Sequence, residues 1–107
     1  MKLWPLRHAP VDAAAGLCYG ASDLPCVIGR TEAVAATIAP LLPVDIAVHS
    51  SPLQRCAMLA GAIALQRPDL SPPSIDPRLA EMDFGAWEGQ PWDAIARSEF
   101  DAWTGDF

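Results

Sequence analysis

Prolines divide this chain into short segments, and no other feature limits its fold as strongly. The 107 residues include eleven prolines, about twice the usual frequency. Proline lacks a backbone N–H donor and interrupts both helices and central strands. The fold therefore has to be assembled from several short helices and strands joined by turns.

Apolar residues between these breaks recur at helical spacing in three places. We expect helices over residues 29–42, 52–66 and 92–103. The first ends before Pro43. For the second, Ser51 is a predicted N-cap, Pro52 occupies the first helical position and Gln54 completes a capping box.

Three short strands alternate with these helices. They are predicted over residues 2–6, 45–48 and 74–76, although Pro5 removes a ladder donor from the first. Alternating strands and helices are typical of an α/β fold, here a three-layer α/β/α arrangement with a mostly parallel sheet. Residues 11–28 form a long loop, and loops of that length are often functional.

Ligands of parallel sheets bind beyond the carboxyl ends of the strands. Arg7 and His8 follow the first predicted strand, and residues 49–51 follow the second, so the two groups should lie at one edge. The helix beginning at Pro52 would direct unpaired backbone N–H groups there. The sequence thus predicts an anion site at this edge.

Composition excludes several other classes of protein. Thirteen acidic against seven basic residues argue against binding along nucleic-acid phosphates. No apolar run approaches the roughly 18 residues of a membrane helix, and the first residues do not form a signal peptide. Three irregularly spaced cysteines favour a reduced compartment, hence the cytoplasm, and no Cys or His spacing indicates a metal site.

Four side chains have the chemistry needed to act on an anionic ester. Arg7 could bind the anion while His8 attacks it, and Arg55 offers a second guanidinium suited to bidentate phosphate binding. Glu81 is a candidate proton donor. Taken singly, each also fits an ordinary role, as a solvated cation, a hydrogen-bonded imidazole or a loop carboxylate. Their combination favours a site.

Three blocks of sequence carry a family resemblance. They are Leu-Arg-His at the first predicted strand end, His-Ser-Ser-Pro-Leu-Gln-Arg-Cys at the second, and Arg-Leu-Ala-Glu-Met-Asp-Phe-Gly-Ala-Trp-Glu-Gly after the third. In order and spacing they resemble the histidine phosphatase (phosphoglycerate mutase-like) superfamily. The resemblance covers nearly the whole chain and implies a single domain over residues 1–107 whose C-terminal portion is missing.

The resemblance implies hydrolysis of a small phosphate ester without a metal or other cofactor, through a covalent phosphohistidine. By position, His8 would be the nucleophile, Arg7 and Arg55 would bind the phosphoryl oxygens, and Glu81 would protonate the leaving alkoxide. His49 would be structural, because the family pattern does not require histidine there.

One loop resembles a particular group of enzymes within this superfamily. Residues 16–25 look like the corresponding loop of α-ribazole-5′-phosphate phosphatases of cobalamin synthesis, with Tyr19 as a substrate-binding residue. Alternatively, Tyr19 and Asp23 only shape a turn, since many relatives carry a similar Gly-x-x-Asp-x-Pro pattern.

The chain also departs from the family pattern. Relatives have glycine, a Glu-Thr pair and a phosphate-contacting asparagine where this chain has Ala9, Pro10, Val11 and Ala14. The family's second catalytic histidine has no counterpart, so we expect an incomplete domain with an uncovered sheet edge that favours self-association. Three functions stay open: a phosphomonoesterase, an inactive phosphate-binding remnant and a mutase-type phosphotransferase.

Overall fold

A computed structural model of the protein describes residues 2–105, which form two compact units. The first unit combines residues 2–12 with residues 23–80, and the second combines residues 13–22 with residues 81–105. The predicted loop over residues 11–28 exists as a loop, and its middle part belongs to the second unit while its two ends belong to the first.

The first unit contains a β-α-β arrangement. Its regular elements are helix α1 (Arg30–Ile38) with a 3-10 extension (Ala39–Leu41), strand β1 (His49–Ser50), helix α2 (Gln54–Gln66) and strand β2 (Ser74–Ile75). The two strands pair in parallel, with His49 opposite Ser74 and Ser50 opposite Ile75. A parallel pair needs a crossover connection, and α2 provides it. The α/β class and the parallel sheet expected from the sequence are confirmed.

The core of the first unit lies between α1 and α2. Its buried members are Ala35, Ala39, Leu42, Leu59 and Ile63. Alanines on one helix and larger aliphatic side chains on the other allow the two helices to approach closely.

Arg67, just after α2, ties the end of α1 to this core. Its Nη1 atom donates to the carbonyl oxygens of Ala39 at 2.9 Å and Leu42 at 2.6 Å, and its guanidinium pairs with Asp69. These carbonyls lie where helical hydrogen bonding runs out, so Arg67 acts as a C-terminal cap from outside the helix.

The second unit is built on aromatic side chains. It contains 3-10 turns at Gly85–Trp87 and Trp92–Ala94 and helix α3 (Arg97–Gly105). Five rings have centroids 5.6 to 6.5 Å apart, those of Phe84, Trp87, Trp92, Phe100 and Trp103. Aromatic pairs at these separations stabilise beyond the area they bury, so a few rings organise a small unit.

The predicted helices are confirmed, with corrected starts. The 29–42 helix is α1 with its 3-10 extension. The second helix begins at Gln54 rather than Pro52, after the extended residue Leu53. The third begins at Arg97, because Trp92–Ala94 form a separate 3-10 turn whose tryptophan packs edge-on against Phe84.

Two of the three strand predictions are wrong, because the first strand is absent and the second lies at other residues. Residues 2–6 carry no strand, and Leu3 is 79% exposed rather than buried, consistent with the missing donor of Pro5. The second strand occupies residues 49–50 instead of 45–48, because Asp45 lies in a turn with φ of 62°, a conformation that Asp tolerates but a strand does not. The third strand is confirmed as β2. The described strands thus form a two-stranded sheet.

Among residues 2–105, every helix falls short of the length and apolar character that crossing a membrane requires.

Candidate active site

A cavity of about 340 Å³ in the first unit collects several of the residues singled out in the sequence. Its polar lining includes His8, together with His49, Ser50 and Ser51 at the carboxyl end of β1. The remaining lining is mainly aliphatic and comes from residues 4–6, the turn before β1, the α2 core and Leu79. His8 and residues 49–51 therefore share one cavity, as predicted, although residues 49 and 50 form β1 instead of following it.

The imidazole of His8 is held by a neighbouring carbonyl group. Its Nδ1 atom lies 2.7 Å from the Ala9 carbonyl oxygen, and the ring is half-buried. A carbonyl oxygen only accepts, so Nδ1 must carry the proton and donate. In the neutral ring, Nε2 then keeps its lone pair, which is the state required of a nucleophile. The Cys26 thiol donates to the same carbonyl at 3.4 Å.

The two arginines assigned to phosphate lie in different environments. Arg7 is exposed, whereas Arg55, in the first turn of α2, is only 1% exposed. Both belong to the described part of the chain, and neither is among the residues that line the His8 cavity. The structure therefore brings His8 and residues 49–51 to one cavity but does not place the arginines on its wall.

The N-terminus of α2 is capped by the protein itself. Ser51 Oγ accepts from the Leu53 N–H at 3.2 Å, and Asp23 Oδ1 accepts from the Gln54 N–H at 2.6 Å. The Gln54 side-chain amide donates to the Asp23 carbonyl oxygen at 2.8 Å instead of reaching back to Ser51, so the predicted capping box is wrong. The Asp23 carboxylate therefore takes one of the backbone N–H groups that the sequence assigned to an anion.

Tyr19 and Glu81 belong to the second unit, where their segments touch. Glu81 is exposed and Tyr19 is half-buried. A Cβ atom on Gly20 would overlap the Met82 carbonyl oxygen and lie 2.9 Å from the Phe84 ring. The backbone after Tyr19 is therefore packed directly on the backbone after Glu81.

Glu88 is the residue of this region that sequence reasoning missed. Its carboxylate accepts hydrogen bonds from the backbone N–H groups of Gly20, Ala21 and Phe84 and from the Ser22 hydroxyl. Three of these partners are 66 to 68 residues away in sequence, so no local pattern signals them.

This environment shifts the pKa values of Glu88 and Cys18. Burial acts to raise the pKa of Glu88, but hydrogen bonds from Ser22, Phe84, Gly20 and Ala21 outweigh it and leave that pKa lowered. For Cys18, burial and the Glu88 charge raise the pKa. Glu88 is thus an ionised, hydrogen-bonded carboxylate.

The family profile of the histidine phosphatase superfamily (branch 1) matches residues 3–107, so the chain belongs to that superfamily. A comparison with curated proteins gave no match.

Solved structures of other proteins are similar to this chain. A provisionally assigned alpha-ribazole-5′-P phosphatase from Escherichia coli K-12 is 29% identical with a TM-score of 0.71, covering 94% of this chain and 52% of its own. A mycobacterial glucosyl-3-phosphoglycerate phosphatase is 25% identical, with a TM-score of 0.70 and coverage of 90% and 47%. A protein from Thermus thermophilus is 30% identical, with a TM-score of 0.66 and coverage of 94% and 55%. The chain spans about half the length of these proteins.

Proposed function

We propose that this protein is a cytoplasmic phosphomonoesterase that hydrolyses a small phosphate ester through a phosphohistidine at His8. The observation that carries the proposal is the hydrogen bond from His8 Nδ1 to the Ala9 carbonyl oxygen, which leaves the lone pair on Nε2 of a residue that lines a cavity. Membership of the histidine phosphatase superfamily supports the same chemistry.

The proposed reaction has two steps. First, the Nε2 lone pair attacks phosphorus, the bond between phosphorus and the ester oxygen breaks, and Glu81 gives its proton to the departing alkoxide. Then Glu81 takes a proton from water, the resulting hydroxide attacks phosphorus, and the phosphorus–nitrogen bond breaks to release phosphate. Arg7 and Arg55 would balance the charge on the phosphoryl oxygens. No step requires a metal ion.

For the substrate we propose α-ribazole 5′-phosphate, which would place the protein in cobalamin biosynthesis. The support is the loop over residues 16–25, with Tyr19 contacting the substrate, and the similarity to the E. coli protein. The mycobacterial relative acts on a different ester, glucosyl-3-phosphoglycerate, so the two compounds form a direct substrate comparison.

Trapping the intermediate tests this proposal. The protein is mixed with phosphorus-labelled α-ribazole 5′-phosphate, quenched, and assayed for label that is lost in acid and retained in base. We expect such label on the wild type, none on His8→Ala, and label retained on His49→Ala, the only other histidine of the chain. Unchanged turnover by His8→Ala would contradict the proposal.

A further inference from the structure

The Glu88 carboxylate is a point at which two segments of the second unit meet. Its Oε1 atom accepts from the Gly20 N–H at 2.9 Å, the Ala21 N–H at 2.9 Å and the Phe84 N–H at 3.3 Å. Its Oε2 atom accepts from the Gly20 N–H at 3.1 Å and the Ser22 hydroxyl at 2.7 Å. A carboxylate is acceptor-only and offers about four lone-pair directions, so these donors use its capacity.

Other contacts also fix the chain next to residues 20–22. Three backbone bonds join residues 16–18 to residues 89–92, with N···O distances of 2.7 to 2.8 Å. Gly20 is packed so closely on Met82 and Phe84 that a Cβ atom would not fit. Residues 20–22 form the tip that lies beyond these backbone bonds, and the Glu88 carboxylate accepts hydrogen bonds from all three of them.

We propose that Glu88 is a positioning residue that holds the loop carrying Tyr19 against the segment carrying Glu81, and thereby sets the affinity for the ester. The inference rests on the proposed function, because Tyr19 and Glu81 take their roles from it. Glu88 does not compete for the chemistry, since its lone pairs are occupied by donors, whereas the Glu81 side chain is exposed.

Replacement of Glu88 by glutamine separates this role from general packing. Glutamine has nearly the same shape but presents an NH₂ group to N–H and O–H donors, which leaves some of them unsatisfied. We expect the Gly20 and Ala21 amide hydrogens to exchange about tenfold to a hundredfold faster. We also expect the dissociation constant and KM for α-ribazole 5′-phosphate to rise about tenfold, with kcat changed less.

Two further variants make the test specific. Ser22→Ala removes one of the donors and should give a smaller change in the same direction, and Ser22→Thr, which keeps the hydroxyl, should restore the wild-type values. Glu99→Gln removes an exposed carboxylate from α3 of the same unit and should leave exchange and affinity unchanged.

The experiment combines amide exchange, ester binding by calorimetry and phosphohistidine yield on the same proteins. Faster exchange at residues 20–21 and weaker binding in Glu88→Gln, with phosphohistidine still formed at saturating ester, is the expected result. If Glu88→Gln behaves as Glu99→Gln does in exchange or in binding, the positioning role is overturned. If the wild type forms no phosphohistidine, the proposed function fails, and the binding constants alone then decide the role of Glu88.

Discussion

Asp23 caps the N-terminus of helix α2, which begins 31 residues later in the sequence. Its Oδ1 atom accepts a hydrogen bond from the backbone N–H of Gln54 at 2.6 Å. A carboxylate at this position satisfies an orphan donor and also interacts favourably with the helix dipole. Because Gln54 returns a hydrogen bond to the Asp23 carbonyl oxygen, loop and helix are joined twice.

We expect Asp23→Ala to lower the free energy of unfolding of the first unit by about 1 to 2 kcal/mol, the usual cost of losing a helix cap. Chemical denaturation with Glu32→Gln as an exposed acidic control on α1 measures it. Equal midpoints for Asp23→Ala and Glu32→Gln would show that the cap contributes nothing.

Arg67 lies just after α2 but is expected to stabilise the end of the α1 segment. Its Nη1 atom donates to two carbonyls near the end of the α1 segment, so Arg67→Ala should lower the free energy of unfolding. Arg97→Ala, at an exposed position on α3, should change it little. Equal losses in the two variants, measured by thermal unfolding, would contradict the capping role.

Two glycines should respond to alanine in opposite ways. Gly20→Ala should destabilise the second unit, because the added Cβ atom would overlap the Met82 carbonyl oxygen. Gly61 lies in the middle of α2, where a Cβ atom would meet nothing within 4 Å, so Gly61→Ala should stabilise by about 0.5 to 1 kcal/mol. Thermal unfolding of both variants checks the pair, and a stable Gly20→Ala protein would refute the tight packing.

The hydrogen bonds of Glu88 make the loop over residues 20–22 sensitive to acid. Because the folded-state pKa of Glu88 is lowered, its contribution to stability is present above the pKa of the unfolded chain and is lost as pH falls through the folded value. The Gly20 and Ala21 amide proton shifts should therefore titrate in that acid range in the wild type and not in Glu88→Gln. Cys18, whose pKa is raised, does not titrate there. A wild-type loop that shows no acid titration would contradict this account.

The elements that the sequence predicted well are those specified by neighbouring residues. Helix α1 follows from its apolar spacing, from Gly29 at a left-handed N-cap with φ of 82° and from the proline that follows it. Strand β2 lies where short-range signals placed it. The position of β1 depends on a turn at Asp45. The sequence did not predict this turn, because residues 45–48 resemble a short apolar strand.

The candidate site likewise has one part that the sequence predicted and another part that it did not. The sequence order was enough to bring His8 and residues 49–51 to one cavity. The contacts of Glu88 and Asp23 were beyond reach, because their partners are distant in sequence and no spacing rule links them. The contact between Asp23 and the start of α2 also shows that a donor at a helix N-terminus can be capped by a residue distant in sequence.

The position of the phosphoryl group on the His8 ring tests the proposed phosphohistidine mechanism directly. Protein labelled with ¹⁵N at histidine is mixed with α-ribazole 5′-phosphate, quenched in base and examined by ¹⁵N and ³¹P NMR. Since Nδ1 donates to the Ala9 carbonyl oxygen, we expect phosphorus bonded to Nε2 of His8, and no such signal in His8→Ala. Phosphorus on Nδ1, on His49 or on no histidine while ester is consumed would contradict the account.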